Sequence, residues 1–361
     1  MNKEIASLVL LLGMVGSGVL HAQGAPGDAL LVLAKSDDML AIVDPASLQI
    51  VARIPAGNDP HEITVSSDGK TAYVSNYGGG AYNTLTVIDL ATQKASSPVD
   101  LGALRGPHGL DFVGGKVWFT AEAAKAIGSY DPATGKIDWI MGTGQNRTHM
   151  IYVWPDMKRI ATTNVSLGTV SILEKTVGGP GRGGPPPGKP NGPGGKAGSP
   201  PGPRGPMGAP GGDWNQTVVP VGNGAEGFDV SPDGKEIWVA NAGDGTVSII
   251  DVASKKVTQT LAANVGGANR LKFTVDGKLV FISSLRSSDL TIIDSATRKT
   301  VKRIAVGSGA AGIEMQPDGT RAFVACSPDG YVAVIDLRSL AVVGKITAGD
   351  NPDGLAWVTR R

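Results

Sequence analysis

The chain has 361 residues, a formal net charge of +1 and 41% hydrophobic residues. Its charge is near zero and forms no basic face, which argues against a nucleic-acid partner. The 52 glycines and 24 prolines favour a turn-rich chain, and the apolar fraction suffices for the core of one large domain. A single cysteine, Cys326, excludes an internal disulfide. Its position in the repeat described below predicts a buried, inert thiol.

Residues 1–22 are predicted to be a signal peptide. Lys3 precedes a mainly apolar stretch from Ile5 to Leu20, and LHAQG offers a cleavage site after Ala22. An uncleaved anchor is the alternative, although the stretch is short and broken by glycines for a spanning helix. No later segment is apolar enough to cross a membrane. We therefore expect a secreted or periplasmic protein without a transmembrane segment after cleavage.

A unit of about 42 residues recurs through the single domain expected over residues 23–361. Its short runs alternate apolar with polar side chains and favour Val, Ile, Thr and aromatics, as in AYVSN, TLTVID, IWVAN and TVSIID. Such runs are typical of strands. Asp-Gly pairs between the first and second runs, as in PDGK at 232–235, predict tight hairpins. Each unit is therefore predicted to form four short antiparallel strands.

Four strands in about 42 residues are typical of a β-propeller blade. Complete units begin at residue 61 and follow one another to residue 326, while residues 28–56 supply only the last three strands of a unit. The string NPDGLAWV at 351–358 supplies only a first strand. We therefore predict an all-β, seven-bladed β-propeller of four-stranded antiparallel blades, closed by pairing of the C-terminal strand with the three N-terminal strands. We expect a monomer.

Two strings carry a resemblance to a known family. AYVSN (72–76) and IWVAN (237–241), each between an Asp-Gly-Lys turn and a VID-type third strand, resemble the YVTN family of β-propeller repeats. The resemblance covers nearly all of residues 28–358 and implies a seven-bladed propeller and an exported bacterial or archaeal protein. Related propellers include lactonases, streptogramin lyases and haem- or quinone-linked dehydrogenase subunits. Because their activities differ, the resemblance indicates the fold and leaves the function open.

Residues 177–212 interrupt blade four with a low-complexity segment rich in glycine and proline. Such a composition cannot bury a core, so we expect a disordered loop between the third and fourth strands of that blade. This connection is predicted to emerge on the face opposite to the candidate site described next. An inert insertion and a role in cell-wall or partner contact both stay open.

The candidate site lies where the repeats stop being equivalent. One position at the start of the first strand carries histidine in three consecutive blades and other polar residues in three more. These residues are His61, His108, His149, Glu226, Asn269 and Asp353. The innermost strands of a propeller line its central channel, so we expect a polar ring at one channel mouth.

Residues that close the second strands are expected at the same face, because the second strand runs antiparallel to the first. They are Asn76, Glu122, Asn164, Asn241 and Ser284. The loop at 76–84 is three residues longer than its counterparts and is expected to bring Tyr77 and Tyr82 close to His61. Two interpretations of this loop stay open: it covers a bound ligand, or its extra length has no functional effect.

Three neutral imidazoles and one carboxylate are a plausible transition-metal site. The candidate ligands are His61, His108, His149 and Glu226, and zinc or copper would suit them. Two other interpretations stay open: a metal-free polar pocket, and a structural role in which the imidazoles bond loop backbone. HEITV lacks the second histidine of a zincin, and no GxSxG, P-loop or CxxCH motif occurs.

Two hypotheses about function follow. In the first, the chain is an extracytoplasmic module that binds a protein, glycan or small molecule through the channel-mouth face. In the second, the histidine ring belongs to a metal-dependent or acid/base enzyme, either a lactonase-like or lyase-like hydrolase or a redox protein. We favour the first because no complete catalytic signature is present.

Overall fold

The structure, a computed structural model, describes residues 27–176 and 214–359. The predicted signal peptide at 1–22 and the predicted insertion at 177–212 lie outside these residues. No helix in the described part of the chain is long and apolar enough to cross a membrane.

Short β-strands make up most of the described chain. The strands before the insertion are β1 (Ala29–Ala34), β2 (Met39–Asp44), β3 (Gln49–Pro55), β4 (Pro60–Val65), β5 (Thr71–Asn76), β6 (Thr84–Asp89), β7 (Lys94–Ala95), β8 (Val99–Asp100), β9 (Pro107–Val113), β10 (Lys116–Ala121), β11 (Ala126–Asp131), β12 (Lys136–Gly142), β13 (Thr148–Val153), β14 (Arg159–Asn164) and β15 (Thr169–Lys175). The strands after it are β16 (Trp214–Pro220), β17 (Ala225–Val230), β18 (Glu236–Asn241), β19 (Thr246–Asp251), β20 (Lys256–Leu261), β21 (Ala268–Phe273), β22 (Leu279–Ser284), β23 (Asp289–Asp294), β24 (Lys299–Ala305), β25 (Ala310–Met315), β26 (Arg321–Cys326), β27 (Tyr331–Asp336), β28 (Ala341–Ile346) and β29 (Pro352–Val358).

These strands form seven antiparallel sheets. Blade one is β29, β1, β2 and β3 from the inside outward, and the following blades each take the next strands of the chain. In blade one, β29 pairs with β1, with Ala29 opposite Val358 and Leu31 opposite Ala356. The chain is therefore a seven-bladed β-propeller closed by its C-terminal strand, as predicted.

Blade two departs from the regular pattern at its outer edge. Its fourth strand is split into β7 and β8, which both pair with β6. Pro98 lies between the two pieces, and a proline cannot donate a hydrogen bond to the neighbouring strand. The interruption is tolerated because it lies at a sheet edge.

The core lies between the blades, and large aromatic residues of the second strands fill it. Phe119, Trp238, Phe281 and Phe323 are fully buried. Trp238 of blade five meets Phe273 of blade six with ring centroids 5.5 Å apart. Full burial of such a side chain contributes about 1.5–3 kcal/mol, so these contacts hold neighbouring blades together.

Cys326 is one of the buried core residues. It has no solvent exposure, and its Sγ lies 3.5 Å from the carbonyl oxygen of Val306. Burial raises the pKa of the thiol to about 11. The thiol is therefore buried and protonated at neutral pH, as the repeat position predicted.

Glycines bring the innermost strands unusually close to one another. A Cβ atom on Gly312 would lie 2.1 Å from the carbonyl oxygen of Asp353, and one on Gly227 would lie 2.2 Å from that of Asn269. Only glycine permits such an approach. Gly227 directly follows the ring residue Glu226, and Gly312 follows Ala311, which has the equivalent position in blade seven. The innermost strands therefore pack closely where the candidate site lies.

Candidate functional site

The three histidines lie side by side at one end of the central channel. The ring centroids of His61 and His108 are 5.0 Å apart, and those of His108 and His149 are 3.9 Å apart. All three line one cavity of about 330 Å³, which we call the histidine cavity. Its other polar lining residues are Lys35, Tyr77, Arg147, Glu226, Asn269, Arg270, Ser327, Asn351 and Asp353.

Tyr77 and Glu122 link the histidines of different blades. The Tyr77 ring stacks on His61 with centroids 4.9 Å apart. Its hydroxyl donates a hydrogen bond of 2.5 Å to Glu122 Oε2, and His149 Nδ1 lies 2.5 Å from the other oxygen, Oε1. Burial and the hydrogen bond to Glu122 raise the pKa of Tyr77 well above its usual range. Tyr77 is therefore a neutral donor.

His149 lies between two carboxylates. Its Nε2 atom is 3.1 Å from Glu226 Oε1, on the opposite side of the ring from Glu122. Burial alone would lower the pKa of His149, but the two carboxylates outweigh it and raise the pKa above its ordinary value. The same contact has the reverse effect on its partner. Although burial opposes ionisation, His149 and Arg147 lower the pKa of Glu226 to about 2.

His108 has the opposite electrostatic character. It is 4% exposed, and burial together with the neighbouring His149 and His61 holds its pKa well below the ordinary value. Its ring is therefore neutral. Within the described chain its Nδ1 atom is buried and has no hydrogen-bond partner. An imidazole nitrogen in this situation is available to a ligand.

In the described part of the chain, three fixed cations surround the histidines, and each has a carboxylate partner. Lys35 Nζ is 3.2 Å from Asp353 Oδ2, which also lies 3.4 Å from His61 Nδ1. Arg147 lies 3.7 Å from Glu122 and 3.5 Å from Glu226. The third pair, Arg270 and Glu62, forms an ion pair between blades six and two on the channel side of the cavity.

Sequence reasoning did not single out Lys35, Arg147 or Arg270. Lys35 and Ser327 both line the cavity, and both directly follow the last residue of a second strand. Tyr77 has the same position in blade two. The position directly after the second strand of each blade therefore contributes to the site, and an alignment of the repeats at this position would have indicated Lys35. Arg147 lies in a loop and has no counterpart of this kind.

Glu122 does not occupy the repeat position that the sequence predicted for it. Ala121 pairs with Pro107 in blade three. Asn76 pairs with Pro60 at the same point of blade two. Ala121 is therefore the counterpart of Asn76, and Glu122 is one position further along the chain.

The cause is a shorter hairpin in blade three. Only Gly114 and Gly115 join β9 to β10, whereas residues 66–70 join β4 to β5. Both glycines have positive φ, 64° and 77°, as a two-residue hairpin of this kind requires. The residue after the second strand is therefore Glu122, which takes the same column as Tyr77 and meets it in the site.

The asparagines predicted at the ends of the second strands do not line the histidine cavity. Each is buried and bonds side chains of its own blade: Asn76 accepts from Thr86 Oγ1 at 2.8 Å, and Asn164 donates to Ser171 Oγ at 3.0 Å. Asn241 makes the same bond to Ser248. Ser284 donates to the carbonyl oxygen of Gly266 at 2.7 Å. The hydrogen bonds of these side chains stabilise the ends of the second strands.

The two predicted tyrosines separate in the structure. Tyr77 lines the histidine cavity, whereas Tyr82 is 41% exposed and covers Gly78 from outside. The loop turns through a 3-10 helix at Gly78–Gly80, and the Gly78 amide donates to Asp59 Oδ2 at 2.8 Å. The extra loop length thus positions one tyrosine over His61 and leaves the other at the surface.

Metal-ligating atoms come together at one point among the described residues. His108, Glu122 and His149 each offer one ligand atom, and these atoms lie within 4.8 Å of one another. The sequence predicted both of these histidines as ligands, together with His61 and Glu226. The last two lie outside this group, and Glu122 takes the place of the expected carboxylate.

Beyond Arg270 the channel continues as a second cavity of about 380 Å³. Asp111, Asp229, Lys272 and Glu314 line it. Burial raises the pKa of Asp111 to about 6 and that of Glu314 to about 7. Both cavities share Arg270 as a wall, so the pair of Arg270 with Glu62 separates them.

Residues 212–321 match the model of the YNCE-like beta-propeller family. This match and the seven-bladed fold agree with the repeats read from the sequence. The resemblance to YVTN-type β-propellers is confirmed. No curated protein matches this propeller.

Several solved structures share the fold. A functionally unknown protein from Desulfotomaculum acetoxidans DSM 771 is 14% identical, with a TM-score of 0.70 over 92% of this chain and 99% of that chain. A putative 6-phosphogluconolactonase from Bacteroides fragilis NCTC 9343 is 15% identical, with a TM-score of 0.68 over 92% and 98%. Kuenenia stuttgartiensis hydrazine synthase is 17% identical, with a TM-score of 0.61 over 82% and 88%. At these identities the likeness concerns the fold alone.

Proposed function

We propose that this propeller is a binding module that takes up a small polar molecule in the histidine cavity. The observation that carries the proposal is the Nδ1 atom of His108, which is buried in the cavity wall without a partner among the described residues. An unsatisfied buried polar atom costs about 1–3 kcal/mol. A purely structural cluster would be expected to satisfy it.

The size and lining of the cavity support the same proposal. Its volume of about 330 Å³ lies at the small end of the range of about 300–1,000 Å³ for ligand pockets. The fixed cations Lys35, Arg147 and Arg270 are already paired with carboxylates. Recognition would therefore depend on hydrogen bonds to the polar wall more than on one dominant charge, which favours hydroxylated or mixed-charge molecules.

A thermal-shift screen tests the proposal. Aldonolactones, aldonates and other hydroxycarboxylates would be added to the purified chain, and we expect at least one class to raise the melting temperature. His108→Asn and Asn269→Ala should abolish the shift. Tyr82→Ala is the matched control, because Tyr82 is exposed and outside the cavity. A shift that persists unchanged in His108→Asn would contradict binding at this site.

An enzyme is the second candidate, and a specific contact favours it. Hydrogen bonds join Tyr77 to Glu122 and Glu122 to His149, and Glu226 lies 3.1 Å from the far side of the His149 ring. This arrangement resembles those that orient a catalytic imidazole. A fold neighbour titled a putative 6-phosphogluconolactonase suggests lactones as substrates. The test is proton release from glucono-δ-lactone and related lactones. Turnover that is lost in Glu122→Gln but kept in Tyr82→Ala would favour the enzyme over the binding module.

We propose that binding takes place outside the cytoplasm. The support is the N-terminal segment, in which Lys3 precedes the apolar stretch and Ala22 ends the predicted signal peptide. Cell fractionation followed by N-terminal sequencing tests this directly. A cytoplasmic protein that retains residues 1–22 would contradict it.

A further inference from the structure

We propose that one divalent transition-metal ion binds at the wall of the histidine cavity, held by His108, Glu122 and His149. The proposal rests on the proposed binding function and deepens it, because the metal would be the part of the site that a polar ligand meets. Zinc is the ion we use to test it.

The donor set suits such an ion. Two imidazole nitrogens and one carboxylate oxygen lie within 4.8 Å of one another. Zinc bonds of about 2.0–2.2 Å place neighbouring ligand atoms about 3.4 Å apart. Ligand atoms as far apart as 4.8 Å would therefore approach each other by about 1.4 Å on binding, whereas the 2.5 Å contact between His149 Nδ1 and Glu122 Oε1 would open if Nδ1 were the ligand atom. Mixed N and O donors also suit copper, nickel and cobalt.

The state of His108 makes it available as a ligand. Its Nδ1 atom is buried and unpartnered within the described residues, and the side chain is 4% exposed. A metal bond would satisfy this atom.

The surroundings of Glu122 provide the outer hydrogen bonds that metal ligands usually have. Tyr77 donates to its Oε2 atom at 2.5 Å, and Arg147 Nε lies 3.7 Å from Oε1. These contacts hold the carboxylate in place at the base of the cluster. Tyr77 is in turn fixed by its stacking on His61.

Apart from His149, the charged side chains around the cluster leave one carboxylate in excess. Four carboxylates, those of Glu62, Glu122, Glu226 and Asp353, face three fixed cations, Lys35, Arg147 and Arg270. The excess of negative charge lies among buried or half-buried groups, where electrostatic interactions are stronger than in water.

His61 is not part of the proposed metal site, although it occupies the same repeat position as the other two histidines. Its Nδ1 atom faces Asp353 at 3.4 Å, and Lys35 lies on the same carboxylate oxygen. It therefore provides a matched control. His61→Asn changes the same residue type in the same ring without removing a proposed ligand.

The experiment is zinc titration of the untagged full-length chain after treatment with a chelator, followed by calorimetry, with cobalt absorption as a second readout. We expect one zinc ion per chain. His108→Asn, Glu122→Gln and His149→Asn should each weaken binding by more than the roughly 10–100-fold typical of losing an outer-shell partner. Tyr77→Phe should weaken it by about tenfold, and His61→Asn by no more than about twofold.

Other outcomes overturn the proposal. No stoichiometric zinc binding by the wild-type chain, or equal losses in His61→Asn and His108→Asn, would refute it. Melting curves identify a variant that fails to fold. In that case the zinc affinity of the nearly isosteric variant Tyr77→Phe decides whether the metal site exists. The wild-type chain could fail to bind zinc and still show a ligand-induced thermal shift that His108→Asn removes. That result would refute the metal site and leave the proposed binding function intact. Absence of both zinc binding and the thermal shift would refute the metal site and the binding function together.

Discussion

The Nδ1 atom of His149 lies 2.5 Å from Glu122 Oε1, and this contact joins blade four to blade three at the channel mouth. The two residues are 27 positions apart in the chain. Neither blade contains the site alone, so the site depends on how closely adjacent blades pack. This dependence leads to predictions about the site residues and about the strands that carry them.

Glu226→Gln should destabilise the chain in a pH-dependent way. The contact with His149 and Arg147 lowers the pKa of Glu226 from 4.5 to about 2, against the effect of burial. A lowered carboxyl pKa contributes stability that is present above pH 4.5 and is lost as the pH falls towards 2. We expect a loss of at most about 3 kcal/mol at pH 7 and a smaller loss at pH 3, measured by urea unfolding. Equal losses at both pH values would contradict this.

Glu314→Gln should change the stability of the chain in the direction opposite to Glu226→Gln. Burial, assisted by Asp229 and opposed by Lys272, raises the pKa of Glu314 from 4.5 to about 7. The folded chain then favours the protonated carboxyl, so wild-type stability is highest below pH 4.5 and falls as the pH rises through 7. We expect the variant to be more stable than wild type at pH 8 and equal to it at pH 4.

Unfolding curves at the two pH values check the Glu314 prediction. Asp276→Asn is a useful comparison, because a hydrogen bond from Lys278 lowers the pKa of this exposed carboxyl to about 2. Its removal should never stabilise the chain at pH 8. A Glu314→Gln variant that is less stable than wild type at pH 8 would show that the ionised carboxylate is favoured in the channel.

Gly312→Ala should strongly destabilise the propeller. Its Cβ would lie 2.1 Å from the carbonyl oxygen of Asp353 in the neighbouring innermost strand. Overpacking in a core costs about 1–3 kcal/mol, and here the obstacle is backbone, so we expect about 3 kcal/mol. Gly142→Ala is the control, because no heavy atom of the residues that the structure describes lies within 4 Å of its Cβ position. A similar small effect of both substitutions in thermal unfolding would contradict the close approach.

Cys326 should react with a thiol reagent only after unfolding. The side chain has no solvent exposure, and burial raises its pKa to about 11. Reactivity requires an accessible thiolate. We expect no labelling by an aromatic disulfide in native buffer and full labelling in denaturant. Rapid labelling of the native chain would show that blade seven opens readily.

The fold was predictable because each blade repeats the same local signals. Alternating strands such as TVSIID and Asp-Gly turns occur in nearly every unit. A signal that is weak in one blade can therefore be recognised from the equivalent positions of the others. Gly234, with φ of 72°, and the Asp233 carboxylate that accepts a bond from the Lys235 amide show that these turns form as expected. The closing strand β29 followed from counting incomplete units.

The candidate site was predictable only where it follows the repeat. The histidine column brought His61, His108 and His149 together, since equivalent positions of innermost strands face one channel. Glu122 was assigned to the wrong column because the two-residue hairpin of blade three shifts its register. Arg147 lies in a loop whose course depends on tertiary contacts, and no sequence pattern indicates its position.

The ion pair between Lys35 and Asp353 spans 318 positions of the chain. Both residues line the histidine cavity, one contributed by the turn after β1 and the other by β29. The cavity therefore cannot exist on a nascent chain until synthesis has passed Asp353, however many blades have already formed. A ligand that binds there would recognise only molecules whose ring has closed, and so would leave partly made chains untouched.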